Sequence, residues 1–236
     1  MEDITKRRVR FLAGFAVYFV VLWVLWNTPF VYPIKIFVVL LHEVSHGVMA
    51  LATGGAIERI TISAAQGGMC QCSGGSPFLI LSAGYLGSLL FGALILWPAR
   101  GQGIVPRAAA ATIGVVVVIA TALWVRNAFG LMFGFGFGGL LIAAARQLPE
   151  QGNAMLLTVL GLTSCLYAIL DIKSDILDRP NLPSDARMLA ELTGIPTVVW
   201  GMLWIAAALL FILWLFRRGL ARVAASPADE KEPFKV

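Results

Sequence analysis

The sequence predicts an all-α polytopic membrane protein, a bundle of six to seven transmembrane helices with a small β-hairpin between the second and third. Three observations lead there. Of 236 residues, 59% are hydrophobic and 13% are charged, about half the roughly 25% charged of an ordinary soluble domain. The apolar residues gather into runs close to the ~20 residues that cross a bilayer. Between the second and third runs the pattern changes to strict alternation around a Gly pair, which is the signature of two paired strands.

The first run, Phe11 to Trp26, follows the basic stretch "TKRRVR". It imitates a signal peptide, but it is long for a signal core and no small-residue cleavage site follows it, so it reads as the first span. Further runs cover residues 34–53, 78–98, 107–126, 127–145, 154–172 and 196–216. Only Arg126 and Asn127 divide the fourth from the fifth, and the fifth contains "GLMFGFGFGG". Each glycine in a helix interior costs up to ~1 kcal/mol relative to alanine, so the fifth segment is expected to be irregular or re-entrant. Arg126 and Asn127 themselves read as a turn at the membrane surface.

In "AIERITISAAQGGMCQCSGGSPF", Ile60 and Ile62 alternate with Thr61 and Ser63, "QGG" offers a turn, and Cys70 and Cys72 share one face of the returning strand. Those two thiols suggest a metal or redox pair, yet no further Cys or His stands close in sequence to complete a site. After the sixth span, "RPNLPSDARMLAELTGIP" offers Ser184 or Asp185 as the N-cap of a short helix that Gly194 ends, and Pro196 opens the last span. Residues 1–216 form one membrane-embedded domain, and the charged segment 217–236 is expected to be a disordered tail. The excess of 18 Lys and Arg over 13 Asp and Glu sits at segment ends. That placement marks topology and a lipid bilayer as partner, not nucleic acid.

One span breaks the apolar rule. "FVVLLHEVSHGVMALATGG" carries His42, Glu43, Ser45 and His46 within five positions, and the chain has only these two histidines. A single ionisable group in mid-membrane costs about 2.5–3.5 kcal/mol on insertion scales. Residues four apart lie on one helix face, so His42 and His46 can grip one Zn2+, while Glu43, one step round, is placed to act as general base on a water. The same polar cluster is also compatible with a transporter or a catalytically silent scaffold that binds a metal ion. A hydrolase acting on a non-protein amide or a lipid is a further alternative.

"HEVSHG" in an early span, the Gly-rich hairpin and "SAGYLGSLLFGALIL" in the next span resemble the site-2 protease family of intramembrane zinc metalloproteases, above all its compact bacterial members without a PDZ domain. The resemblance covers roughly residues 34–204. It implies a zinc metalloendopeptidase of a multi-pass protein in the bacterial cytoplasmic membrane. Its substrates would be membrane proteins or peptides, its metal ligands two His and a later Asp, and its water-activating base a Glu. His42, His46 and Glu43 match directly. The family's later motif has Gly after Asp; the nearest equivalent here is "ILDIKS", with Ile172 in that place. Of the 13 acidic residues, only Glu43 and Asp171 are set within apolar sequence. Asp171 is therefore the expected third ligand, with Asp175 and Asp185 as alternatives. "PSDA" also looks like the compact branch. A helical substrate must unwind before hydrolysis, and the hairpin could then receive it by strand addition.

Overall fold

The structure, a computed structural model, describes residues 2–26, 28–173, 175 and 183–225. The described residues contain eight α-helices and one two-stranded sheet, and seven of the helices are long and apolar enough to cross a membrane. The chain divides into two compact units, one of residues 1–31 with 209–236 and one of residues 32–208.

The first unit contains α1 (Glu2–Leu25) and the later part of α8 (Thr197–Ala225). Phe15 meets Phe216 edge to face with centroids 5.4 Å apart, and the Arg218 guanidinium lies 4.2 Å from the Trp214 ring centre. Residues 217–225, expected to belong to a disordered tail, continue α8 as helix. Residues 226–236 lie outside the described residues.

The second unit is built around α2 (Tyr32–Ala52), in which every residue from Ile36 to Leu41 is buried. A helix apolar on all sides belongs in the middle of a bundle, and α2 packs against α3 (Pro77–Leu96), the hairpin and α6 (Glu150–Lys173). Close helix approach depends on small residues. Between α3 and α6, a Cβ on Gly92 would stand 2.8 Å from the Gly161 carbonyl oxygen.

The fifth apolar segment differs from expectation. It is a regular helix, α5 (Ala128–Gln147), paired along its length with α4 (Val105–Trp124). Gly130, Gly134 and Gly138 recur every fourth residue and are all buried, and a Cβ on Gly138 would lie 2.9 Å from the Gly114 carbonyl oxygen of α4. A second row at the same spacing, Phe129, Phe133 and Phe137, is stacked ring on ring at 6.4 and 5.2 Å. Glycine weakens an isolated helix, but here it admits a neighbouring backbone, and the packing outweighs the propensity.

The hairpin forms where the alternation placed it. Strand β1 (Ala56–Ile62) runs antiparallel to β2 (Gly68–Ser73), pairing Ile60 with Cys70 and Thr61 with Met69, with an irregularity between Ile57 and Arg59. Ile60 and Ile62 point into the unit and are buried. The outer edge of β1 is also occupied. Val125 bridges Ile60 in parallel, the Arg126 N–H donates to the Ile60 carbonyl at 3.0 Å, and the Asn127 amide accepts from the Ile62 N–H at 3.0 Å while donating to its carbonyl at 2.7 Å. Arg126 and Asn127 thus break the apolar run because they complete a sheet edge whose groups could not otherwise be left buried.

Short helix α7 (Asp185–Thr193) follows the expected caps: Ser184 Oγ accepts the Arg187 N–H at 3.3 Å, and Gly194 closes the helix at φ 73°. Ala186 and Leu189, one turn apart, bury their side chains in a cluster with Tyr85 of α3, Ile172 of α6 and Trp204 of α8.

Candidate metal centre

α2 delivers the two histidines as the i, i+4 spacing requires, with ring centroids 4.8 Å apart. Ser45, the other polar residue of the motif, turns its hydroxyl back to the Leu41 carbonyl at 2.6 Å and so satisfies itself within the helix. The His46 Nδ1–H donates to the Ile80 carbonyl of α3 at 2.7 Å. That bond leaves Nε2 as the ligand atom.

The carboxylate that reaches both imidazoles is Asp185. Its Oδ2 lies 3.0 Å from His42 Nε2 and 3.2 Å from His46 Nε2, and the three side chains form the one His, Cys, Asp and Glu group among the described residues that could hold a metal ion. Asp171, expected from the sequence in this role, lies on the opposite side of His42, with Oδ2 3.8 Å from Nδ1. Asp175 is engaged elsewhere, accepting the Tyr85 hydroxyl at 2.5 Å. The physical reason is the anchoring of α7. Burial of Ala186 and Leu189 against Tyr85 fixes the first turn of that helix, and Asp185 is its first residue. A carboxylate is also favoured at a helix N-terminus. Burial alone would raise the Asp185 carboxyl; the facing His46 and His42 imidazoles outweigh that and hold it well below the usual carboxylate range.

The donor set fits zinc. Two imidazole nitrogens and one carboxylate oxygen are ordinary zinc ligands, and a site with three protein ligands keeps a fourth position open for water. Ligands at ~2.0–2.1 Å in a tetrahedron stand about 3.3 Å apart, close to the observed 3.0 and 3.2 Å. Space is reserved as well: a Cβ added to Gly84 would press on His42 Nε2 and stand 2.7 Å from Asp185 Oδ2. α3 therefore presents bare backbone to this cradle.

Glu43 turns toward the hairpin. A Cβ on Gly68 would lie 2.6 Å from its Oε1, and the carboxylate feels the charges of His42, His46 and Asp185. The structure thus groups His42, His46 and Glu43 as expected, and adds Asp185. The sequence carried a signal for Asp185 in the Ser184 cap and the i, i+3 apolar pair of α7, but the segment reads as polar and water-accessible.

Cys70 and Cys72 do share a face, with Sγ atoms 2.9 Å apart. Burial raises both thiols above their ordinary range, that of Cys70 strongly. No third donor joins them among the described residues, and Cys70 Sγ packs against α2 beside Gly47.

A bundle of membrane-spanning helices enclosing a His-Glu-Asp cluster defines an integral multi-pass membrane protein with a candidate metal centre. The sequence profile of the Peptidase M50B-like family matches residues 15–215, and the chain belongs to that family of membrane metalloproteases, in agreement with the site-2 protease resemblance. No curated protein and no solved structure matches it significantly.

Proposed function

We propose that this chain is an intramembrane zinc endopeptidase of a bacterial cytoplasmic membrane, hydrolysing peptide bonds of membrane protein substrates. His42, His46 and Asp185 hold the metal, and Glu43 is the general base. The supporting observation is the convergence of these three ligand atoms on one another, two of them beside the bare backbone of Gly84, with the Glu43 carboxylate within their field. Zinc bound there would lower the pKa of a bound water toward ~7 and polarise the scissile carbonyl. Glu43 takes the proton of the attacking water and returns it to the leaving amine nitrogen.

The hairpin supports a route for the substrate. Backbone groups alternate sides along a strand. Those of Ile60 and Ile62 face residues 125–127, so those of Thr61 face β2, and its partner Met69 faces β1. The groups of Cys70 and Cys72 then face outward, on the strand whose Gly68 lies against Glu43. With the β1 edge occupied, an unwound substrate adds to β2 and is laid beside the base.

The test compares the parent with Glu43→Gln for zinc content and for cleavage of co-expressed single-span proteins. One zinc per chain in both, with cleavage in the parent alone, supports the reading. A metal flux across vesicles that survives Glu43→Gln, without cleavage by the parent, would instead identify a transporter.

A further inference from the structure

The two candidate histidine ligands are held differently on the ring nitrogen that faces away from the metal cradle. His46 Nδ1 has a backbone acceptor, the Ile80 carbonyl at 2.7 Å. On the Nδ1 side of His42 stands the Asp171 carboxylate at 3.8 Å, from the last turn of α6. A second hold on this ring comes from just beyond α6. Asp175, four residues on, accepts the Tyr85 hydroxyl, and the Tyr85 ring meets His42 edge to face at 5.1 Å. Tyr85 is almost wholly buried in the cluster that also anchors α7. His42 is thus enclosed by Asp171 at Nδ1, Tyr85 on its flank and Asp185 at Nε2.

We infer that Asp171 is a positioning residue, the acceptor for the His42 Nδ1 proton, which keeps the Nε2 lone pair of His42 directed at the metal cradle. This rests on the zinc site proposed above. An imidazole that ligates through one nitrogen carries its proton on the other, and an acceptor for that proton fixes both tautomer and ring orientation. A carboxylate serves at least as well as the carbonyl used by His46. The separation exceeds a formed hydrogen bond of 2.7–3.2 Å by roughly 0.6–1.1 Å, an adjustment within the range of an Asp side chain that is 22% exposed. A role as ligand would require Asp171 to reach the Nε2 side, which Asp185 already occupies.

The presence of only two histidines makes the test clean. Zinc-loaded protein labelled with 15N in its imidazoles gives two Nδ1–H signals, assigned in the parent by through-space contacts to Tyr85 for His42 and to Ile80 for His46; the parent is then compared with Asp171→Asn and Asp171→Ala, alongside zinc affinity measured by chelator competition. In Asp171→Ala the His42 Nδ1–H signal should shift or be lost to water exchange while that of His46 stays, and zinc affinity should fall about 10–100-fold with one zinc still bound at saturation. Asp171→Asn keeps an acceptor oxygen and should stay within a few fold of the parent. The inference is overturned if Asp171→Ala leaves the His42 signal and zinc affinity unchanged. It is equally overturned if Asp171→Asn loses the metal as completely as Asp185→Ala, since Asp171 would then be a ligand. A parent that binds no zinc would sink the proposed function itself, an outcome distinct from either.

Discussion

Replacing Gly84 by alanine sets a methyl group against two of the three candidate ligands, His42 and Asp185. That carbon would stand 2.7 Å from Asp185 Oδ2 and closer still to His42 Nε2, where ordinary van der Waals contact begins near 3.5 Å. Relief requires a displacement of roughly 0.8 Å at Asp185 and more at His42, whereas ligand distances in a zinc site tolerate about 0.2 Å. Overpacking of this size costs about 1–3 kcal/mol, against a typical stability of 5–15 kcal/mol, so the fold should survive. Zinc affinity should fall by at least about 100-fold, beyond what loss of a supporting contact costs. The assay is metal content and chelator competition on detergent-purified protein, with helicity as the check on folding. Gly136→Ala is the control, because a Cβ there meets nothing within 4 Å; it should retain zinc and gain up to ~1 kcal/mol of helix propensity. A Gly84→Ala protein that binds zinc within threefold of the parent would refute the location of the cradle.

Three further outcomes follow from the same geometry. Glu43→Gln should retain zinc and lose about 100-fold to 10,000-fold in hydrolysis, read from cleavage of a single-span substrate; a loss of only a few fold would exclude it as the base. Asn127→Ala strips the Ile62 N–H and C=O of their partners and should cost about 1–3 kcal/mol in thermal or denaturant unfolding while zinc binding persists; unchanged stability would show that the β1 edge does not need this amide. Cys72→Pro removes an outward N–H from β2 without touching the groups of Thr61 and Met69 that face each other, so cleavage should fall at constant zinc content, whereas Thr61→Pro should disrupt the hairpin itself. Full turnover in Cys72→Pro would reduce the hairpin to a connector.

The sequence by itself determined the elements and half of the site. Hydropathy marked every span within a few residues, because the bilayer imposes a length on each one. The alternation about "QGG" marked the hairpin, and Ser184 and Gly194 marked the ends of α7, because caps and turns are local chemistry. His42 and His46 were legible for the same reason, since a four-residue spacing on a helix fixes their shared face. What depended on partners distant in sequence was not legible. The glycines of α5 weaken an isolated helix, and only their contact with α4 shows why a regular one forms. Asn127 resembled a surface turn until its amide was seen against Ile62, 65 residues away. The third carboxylate shows the division most sharply. Asp171 lies in apolar sequence and stands beside Nδ1 of His42, while Asp185 lies in polar sequence and reaches Nε2 of both imidazoles. Apolar context reports how deeply a chain segment sits, but which carboxylate reaches both imidazoles is set by how α7 docks through Ala186 and Leu189, a packing choice made 139 residues beyond His46, at Asp185.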